Sequence, residues 1–320
     1  MELYHIKSVA QAGAVAAAER GRHTASTNTL LLVNLTTQQA MQQLSHVAHI
    51  FSDADGTLVS DGAEHISQAT LLLLATLSRH GITTTVVTGK PLAEVTPMLS
   101  SAPGLEFICE KGAYRAHIQN GTVRKQFMLS DAAIETEVAL FRIGLARYLQ
   151  GLARRHHIGF GWAGSGAHTS IISVDLYAAT PPAHYTALRG AARNALKLRD
   201  PALQRRLESL IARWVHQHKP TWQVVHLGNG NTEITPPILE KSAAVRAHPA
   251  FAKSGKVLIL GDSKNDEPMF ALRATHTHKV LNGLVLHQHA SLPLVNTAHF
   301  VTFGMANVQP ILQALLSTKK

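Results

Sequence analysis

Two short stretches, about two hundred residues apart, carry the residues best suited to chemistry: Phe51-Ser-Asp-Ala-Asp-Gly-Thr-Leu58 and Leu258-Ile-Leu-Gly-Asp-Ser-Lys-Asn-Asp-Glu-Pro-Met269. Each is an apolar run that ends in closely spaced carboxylates followed by turn residues. Buried strands read this way when they deliver acids to the carboxyl edge of a parallel sheet, where open α/β folds bind ligands. Carboxylates gathered at one place repel one another unless a proton or a divalent cation is shared among them. The pattern predicts a site for a metal ion and a phosphate.

Two further segments fall between these stretches in an order that matters. Thr88-Gly89 ends the apolar run Ile82 to Val87, and Lys241 follows Asn231-Thr-Glu-Ile-Thr-Pro236. With Asp53-x-Asp55-Gly-Thr-Leu and Gly261-Asp262-Ser-x-Asn265-Asp266 they make four motifs that resemble, in order, those of the haloacid dehalogenase superfamily of phosphotransferases. The similarity spans roughly residues 46–114 and 231–320. Phe107-Ile-Cys-Glu-Lys-Gly-Ala113 is similar to the turn of the subclass with an α/β cap inserted after the third core strand, with Lys111 where that subclass has Asn. Within the subclass, Ile50 to Asp55 and Thr88 to Val95 are similar to mannosyl-phosphoglycerate phosphatases.

The resemblance implies roles. Asp53 matches the nucleophile that forms an aspartyl-phosphate, and Asp55 the general acid and base. Thr88, the Gly89 amide, Lys241 and Asn265 match the groups that hold and neutralise the phosphate. Magnesium is the implied ion, with Asp53, the Asp55 carbonyl and Asp262 as ligands and Asp266 as an outer carboxylate. The implied reaction is hydrolysis of a small phosphorylated metabolite, a sugar phosphate or phosphoglycerate derivative. A phosphomutase, or a binding protein that keeps the fold without catalysis, stands as the alternative. Lys111, the departure from the family pattern, is either a contact to a second anionic group of the substrate or a solvated lysine.

The elements that must position these residues alternate. His49 to Ser52, Ile82 to Val87 and Glu106 to Cys109 read as strands. Ser67 to His80 carries an apolar helical face closed by Gly81, and Pro91 to Leu99 reads as a helix with proline in its first turn. This alternation predicts a doubly wound parallel sheet, with Lys256 to Leu260 as a later strand and Val308 to Leu316 as a closing helix. Residues 115–230 break the rhythm and read as the inserted α/β cap. Their predicted parts are a hairpin around Asn120-Gly121, a long helix from Ala132 to Arg155 and a strand from Thr169 to Tyr177. A helix from Tyr185 to Lys197 and a strand from Trp222 to Leu227 complete the cap. The core is then 46–114 with 231–320, and residues 1–45 form an extension outside the family pattern, with a helix expected from Thr37 to Val47. That alanine-rich extension reads as a presequence, as a segment packed on the core or as the result of a start codon placed too early.

The chain has 320 residues, 45% of them hydrophobic, enough for two domains. No stretch is apolar for the length of a membrane span. The single cysteine, Cys109, lies in an apolar run and suits a buried position and a reducing, cytoplasmic setting. Of the net charge of +10, nearly all lies in 115–230, which holds roughly fifteen Lys and Arg against about six Asp and Glu. No aromatic ladder or known motif accompanies this charge, so no nucleic-acid partner is expected. Steering of an anionic substrate and a solvated helix face remain as readings. The 20 histidines include the pairs His216/His218, His276/His278 and His287/His289, which on strands would each share a face. None has partners at zinc-site spacing.

Overall fold

A computed structural model describes residues 4–6, 32–34, 42, 44–60, 65–102, 104–163, 166–181, 195–228, 230–253, 255–275, 280–286, 298, 300–303 and 308–318. Two sheets organise them. The larger has ten strands. In chain order these are β1 (Tyr4–Ile6), β2 (Leu32–Asn34), β3 (Val47–Ser52), β4 (Thr83–Val87), β5 (Glu106–Cys109), β6 (Tyr114–Gln119) and β7 (Thr122–Phe127). The smaller sheet takes β8 (Gly159–Trp162), β9 (Ile172–Tyr177), β10 (Gln223–Gly228) and β11 (Asn231–Thr235), and the larger resumes with β12 (Lys256–Gly261), β13 (Val280–Leu286) and β14 (Phe300–Phe303).

The order across the large sheet is β2-β1-β14-β13-β12-β3-β4-β5-β6-β7. From β14 to β5 the pairing is parallel, and both edges are antiparallel. The chain builds outward from β3 through β4 to β5, then returns to β3's other side with β12 and builds away through β13 and β14. The switch between these directions lies between β3 and β12, where such sheets open a crevice beyond the strand ends.

Alternating side chains decide the two faces. On β3 and β12, Ile50, Leu258 and Leu260 join one core, while Phe51, Val257 and Ile259 join the other. The first face is covered by α1 (Gln68–Arg79), α2 (Leu92–Ser101) and, from the chain's end, α8 (Val308–Ser317). The second is covered by α5 (Lys241–Ala247), α6 (Pro249–Lys253) and α7 (Glu267–Thr275). Ser67 caps α1 by accepting from the Thr70 amide at 3.2 Å. Phe51 is fully buried between Val87, Ile259 and Phe251, so Phe51→Ala would cost about 3–5 kcal/mol.

Above the carboxyl edge sits the four-stranded antiparallel sheet, ordered β10-β11-β9-β8. Ile172, Val174, Leu176 and Ile234 on one face pack against α3 (Ala132–His156) and α4 (Pro201–His218). Ser173, Asp175 and Glu233, at the alternate positions, belong to the opposite face.

Several expectations change. The hairpin β6–β7 pairs with β5 and extends the core sheet, so the crossing into the cap comes after residue 127 and not at 115. Tyr114 and Ala116 lie in the same core as α1 and α2, and that apolar contact, invisible in the hairpin's own pattern, sets its sheet. At the return, Asn231–Thr235 pairs with β9 and β10, so the cap ends after 235 and not at 230. The helix α4 was not expected, although Asp200-Pro201 caps it and Leu203, Leu207, Ile211 and Val215 repeat at helical spacing. His216 and His218 lie on that helix, two positions apart, and so do not share a face. The other two histidine pairs, most of Tyr185 to Lys197 and most of the expected helix from Thr37 lie outside the described residues. The extension contributes β1 and β2, which add to the β14 edge. No helix among the described residues is long and apolar enough to cross a membrane.

Candidate active site

The ends of β3 and β12 place the acids side by side. The Asp53 amide continues the ladder by donating to the Leu260 carbonyl at 2.9 Å, which sets Asp53 against the Gly261–Asp262 turn. Asp53, Asp262 and Asp266 bring carboxylate oxygens within 4.8 Å of one another. Gly261 is obligatory there, because a Cβ would sit 2.7 Å from the Asp266 side chain.

Lys241, the first residue of α5, reaches into this cluster. Its ammonium lies 2.6 Å from Asp53 Oδ1 and 2.7 Å from Asp266 Oδ1, and all three residues are buried. The other oxygen of Asp266 accepts from the Asp262 and Ser263 amides at 3.1 and 3.2 Å and from the Ser263 hydroxyl at 3.3 Å. Asp266 is therefore engaged by the protein on both oxygens. Burial pushes the Asp53 pKa well above the usual carboxylate range, and the Asp266 carboxylate adds to this against the pull of Lys241. Burial works against the Lys241 charge too, but Asp266 and Asp53 outweigh it and hold the ammonium above its usual pKa.

Thr88, at the end of β4 next to β3, is buried. Its amide is held by the Ile108 carbonyl, and its hydroxyl oxygen accepts from the Lys90 amide at 3.1 Å, which leaves the hydroxyl proton free to donate toward the crevice. Asp55 lies beyond Asp53 with one carboxylate oxygen 2.8 Å from the Lys90 ammonium. Asn265 shares a cavity of about 310 Å³ with Lys241 and Lys111.

The turn after β5 ties this site to the cap. Glu110, Lys111 and Gly112 all take positive φ (47°, 58° and 111°), a costly run for two residues with side chains. Long-range contacts hold it. The Glu110 carboxylate accepts from the amides of Thr169, Ser170 and Ile171, with Ser170 at 2.7 Å, and from the Tyr114 hydroxyl at 3.1 Å. The Lys111 amide donates to the Thr88 carbonyl at 3.0 Å, and its buried ammonium forms an ion pair with Glu233 of β11. Cys109, just before the turn, is a free, fully buried thiol whose pKa is pushed up by burial and by Glu110.

Asp53, Lys241, Asp262 and Asp266 thus meet directly, and Thr88 and Asp55 flank them. Lys90, Glu110 and Glu233 were not singled out beforehand. Lys90 stood in a recognisable position, two residues after Thr88. Nothing local to Glu110 or Glu233 announces partners some 60 to 120 residues away. His168 is buried within 3.9 Å of Glu110, and Trp162 packs half-buried against the cap core.

Residues 50–144 match the family model described as haloacid dehalogenase-like hydrolase. No curated protein matches the sequence. Among solved structures, the trehalose-6-phosphate phosphatase of Aspergillus fumigatus is 18% identical with a TM-score of 0.56, covering 89% of this chain and 98% of that one. The C-terminal domain of the Candida albicans trehalose-6-phosphate phosphatase is 16% identical with a TM-score of 0.61, covering 88% and 97%. A haloacid dehalogenase-like hydrolase of Bacteroides thetaiotaomicron is 15% identical with a TM-score of 0.55, covering 85% and 99%. The similarity to mannosyl-phosphoglycerate phosphatases draws no support from these three. The family match over residues 50–144 and the fold shared along nearly the whole chain agree with the order of the motifs.

Proposed function

We propose that the protein is a magnesium-dependent phosphatase that hydrolyses a small phosphorylated metabolite, a sugar phosphate or phosphoglycerate derivative, through an aspartyl-phosphate. The observation that carries this reading is the buried Asp53 carboxylate, held by Lys241 at the switch point of the sheet, beside Asp262 and Asp266. The sugar-phosphate side draws support from the trehalose-6-phosphate phosphatases that share the fold.

The donor set fits a divalent cation. Three carboxylates meet one ammonium, and the carboxylate oxygens are hard donors that suit a hard divalent cation. Asp53, the Asp55 carbonyl and Asp262 would hold the ion, while Asp266 orients Lys241 and the Asp262 turn. Magnesium, when bound, would neutralise charge on the transferring phosphoryl oxygens.

The side chains do the rest. Asp53 attacks phosphorus in line as the ester P–O bond breaks, while Lys241, the Thr88 hydroxyl and the Gly89 amide hold the phosphoryl oxygens. Asp55 gives its proton to the departing alkoxide. It then takes a proton from the water that cleaves the aspartyl-phosphate, returning Asp53 and releasing phosphate. The cap over the carboxyl edge limits access to small substrates.

Purified protein should release inorganic phosphate from a metabolite panel with magnesium and stop when a chelator is added. Asp53→Asn should be inert. Isomerisation of hexose phosphates without phosphate release would make it a mutase, and inertness of the wild type toward every ester would leave a binding protein.

A further inference from the structure

We propose that the Lys111–Glu233 pair makes the site select phosphate esters of uncharged alcohols over esters that carry a second anionic group. This rests on the phosphatase reading and narrows its substrate class.

Lys111 comes from the core turn and Glu233 from the core-facing side of the cap sheet, and their side chains meet in a buried ion pair. The pair stands over the phosphate loop. A Cβ added to Gly89 would lie 3.4 Å from the second Glu233 oxygen, and the Lys111 amide is bonded to the Thr88 carbonyl. A group that leaves a phosphate held at Thr88–Gly89 on the cap side therefore meets Glu233.

The charges then decide. Lys111 already has its counter-ion. For a substrate carboxylate to take the ammonium, Glu233 would have to be left as an unpaired buried charge, which is strongly unfavourable. A second anion also meets the Glu233 carboxylate, and like charges at such range repel where water is excluded. A substrate hydroxyl instead donates to the second Glu233 oxygen with the pair intact.

The adjoining cavity points the same way. Its cations, Lys111 and Lys241, are both paired, while Glu240 and Glu267 add negative charge, and Gln223 and Val225 of the cap are neutral. The cap's overall positive charge is not repeated at this wall. Specificity here is a matter of what is excluded.

Glycerol phosphate and phosphoglycerate form a matched pair of probes, since one bears a hydroxymethyl group where the other bears a carboxylate. Their affinities should be measured by titration calorimetry on Asp53→Asn protein, where neither is turned over, and their kcat/KM ratio on otherwise wild-type protein with magnesium. Wild-type pocket residues should favour glycerol phosphate by roughly tenfold or more. Glu233→Gln, which frees Lys111, should shrink or invert that preference. Lys111→Met, which leaves Glu233 unpaired, should widen it. If Glu233→Gln leaves the ratio unchanged, or Lys111→Met narrows it, the proposal is wrong, and narrowing would make Lys111 a direct anion contact. The affinities answer even if no ester is hydrolysed, so failure of the phosphatase reading and failure of this one are separable. Circular dichroism on each variant identifies a misfolded one, for which Lys111→Asn and Glu233→Ser supply the same two directions.

Discussion

The Lys90 ammonium lies 2.8 Å from a carboxylate oxygen of Asp55 and 3.8 Å from a carboxylate oxygen of Glu94, one helical turn further on. Lys90 thus joins the loop that carries Thr88 to the residue proposed to handle protons, and fixes where the Asp55 carboxylate points. Lys90→Met should lower kcat roughly tenfold, with a smaller change in KM, because a charge-assisted contact on a partly exposed carboxylate is worth about 1–2 kcal/mol after screening. Lys90→Arg should recover part of the loss. A change confined to KM would mean that Lys90 binds substrate and does not position Asp55.

Removing Lys241 asks whether the carboxylate cluster holds a cation. Lys241→Met leaves Asp53 and Asp266 buried without their counter-ion, a loss of about 3–5 kcal/mol in chelator. Magnesium should restore part of this, raising the melting temperature of the variant by more than it raises that of the wild type. Equal shifts in both proteins would mean that no ion binds at these carboxylates.

His49 gives the core an acid-sensitive point away from the site. Its ring nitrogens lie 2.6 and 3.0 Å from the Thr83 and Thr85 hydroxyls, and burial, aided by His248, lowers its pKa to about 4. Since the folded value lies below the unfolded 6.5, the neutral ring is favoured in the fold. Its contribution is whole above pH 6.5 and is lost as pH falls toward about 4, to a total of about 3 kcal/mol. Glu106, whose pKa is lowered by His248 against the opposing effect of burial, loses its contribution at still lower pH. Urea melts of wild type and His49→Gln should converge as the buffer is taken from neutral to about pH 5. A gap that stays constant would dismiss the assignment.

Glu110 holds the cap by accepting three consecutive amides from 169–171. Glu110→Ala strands the buried Ser170 and Ile171 amides, so the protein should lose about 3 kcal/mol. Amide exchange at 169–171 should speed up at least tenfold, while exchange in β3 and β12 follows only the global change. Protection unchanged at 169–171 would show that those amides find other acceptors.

What could be read beforehand follows range along the chain. The units from β3 to β5 announce themselves through two local periodicities and their turns, and the acids sit where those periodicities stop. Asp53, Asp262 and Lys241 were recognisable from motif order, although nothing local says that Lys241 meets both Asp53 and Asp266. The hairpin β6–β7 is legible as a hairpin but reads as part of the cap, because a hairpin's alternation does not say which edge it joins. Helix α4 carries its cap at Asp200-Pro201 and its apolar spacing locally, so its signal lies within the sequence. Lys90, Glu110 and Glu233 owe their importance to partners that only the fold supplies.

The strained turn at Glu110–Gly112 has a mechanical consequence. Its first side chain grips the cap at 169–171, its second grips the cap at β11, and its backbone grips the Thr88 loop. The cap is thus held at two places of unequal strength, several bonds at 169–171 against one ion pair at β11. Breaking the single Lys111–Glu233 contact while Glu110 keeps its three cap amides would let the cap swing about 169–171, with the β10–β11 side parting from the core first.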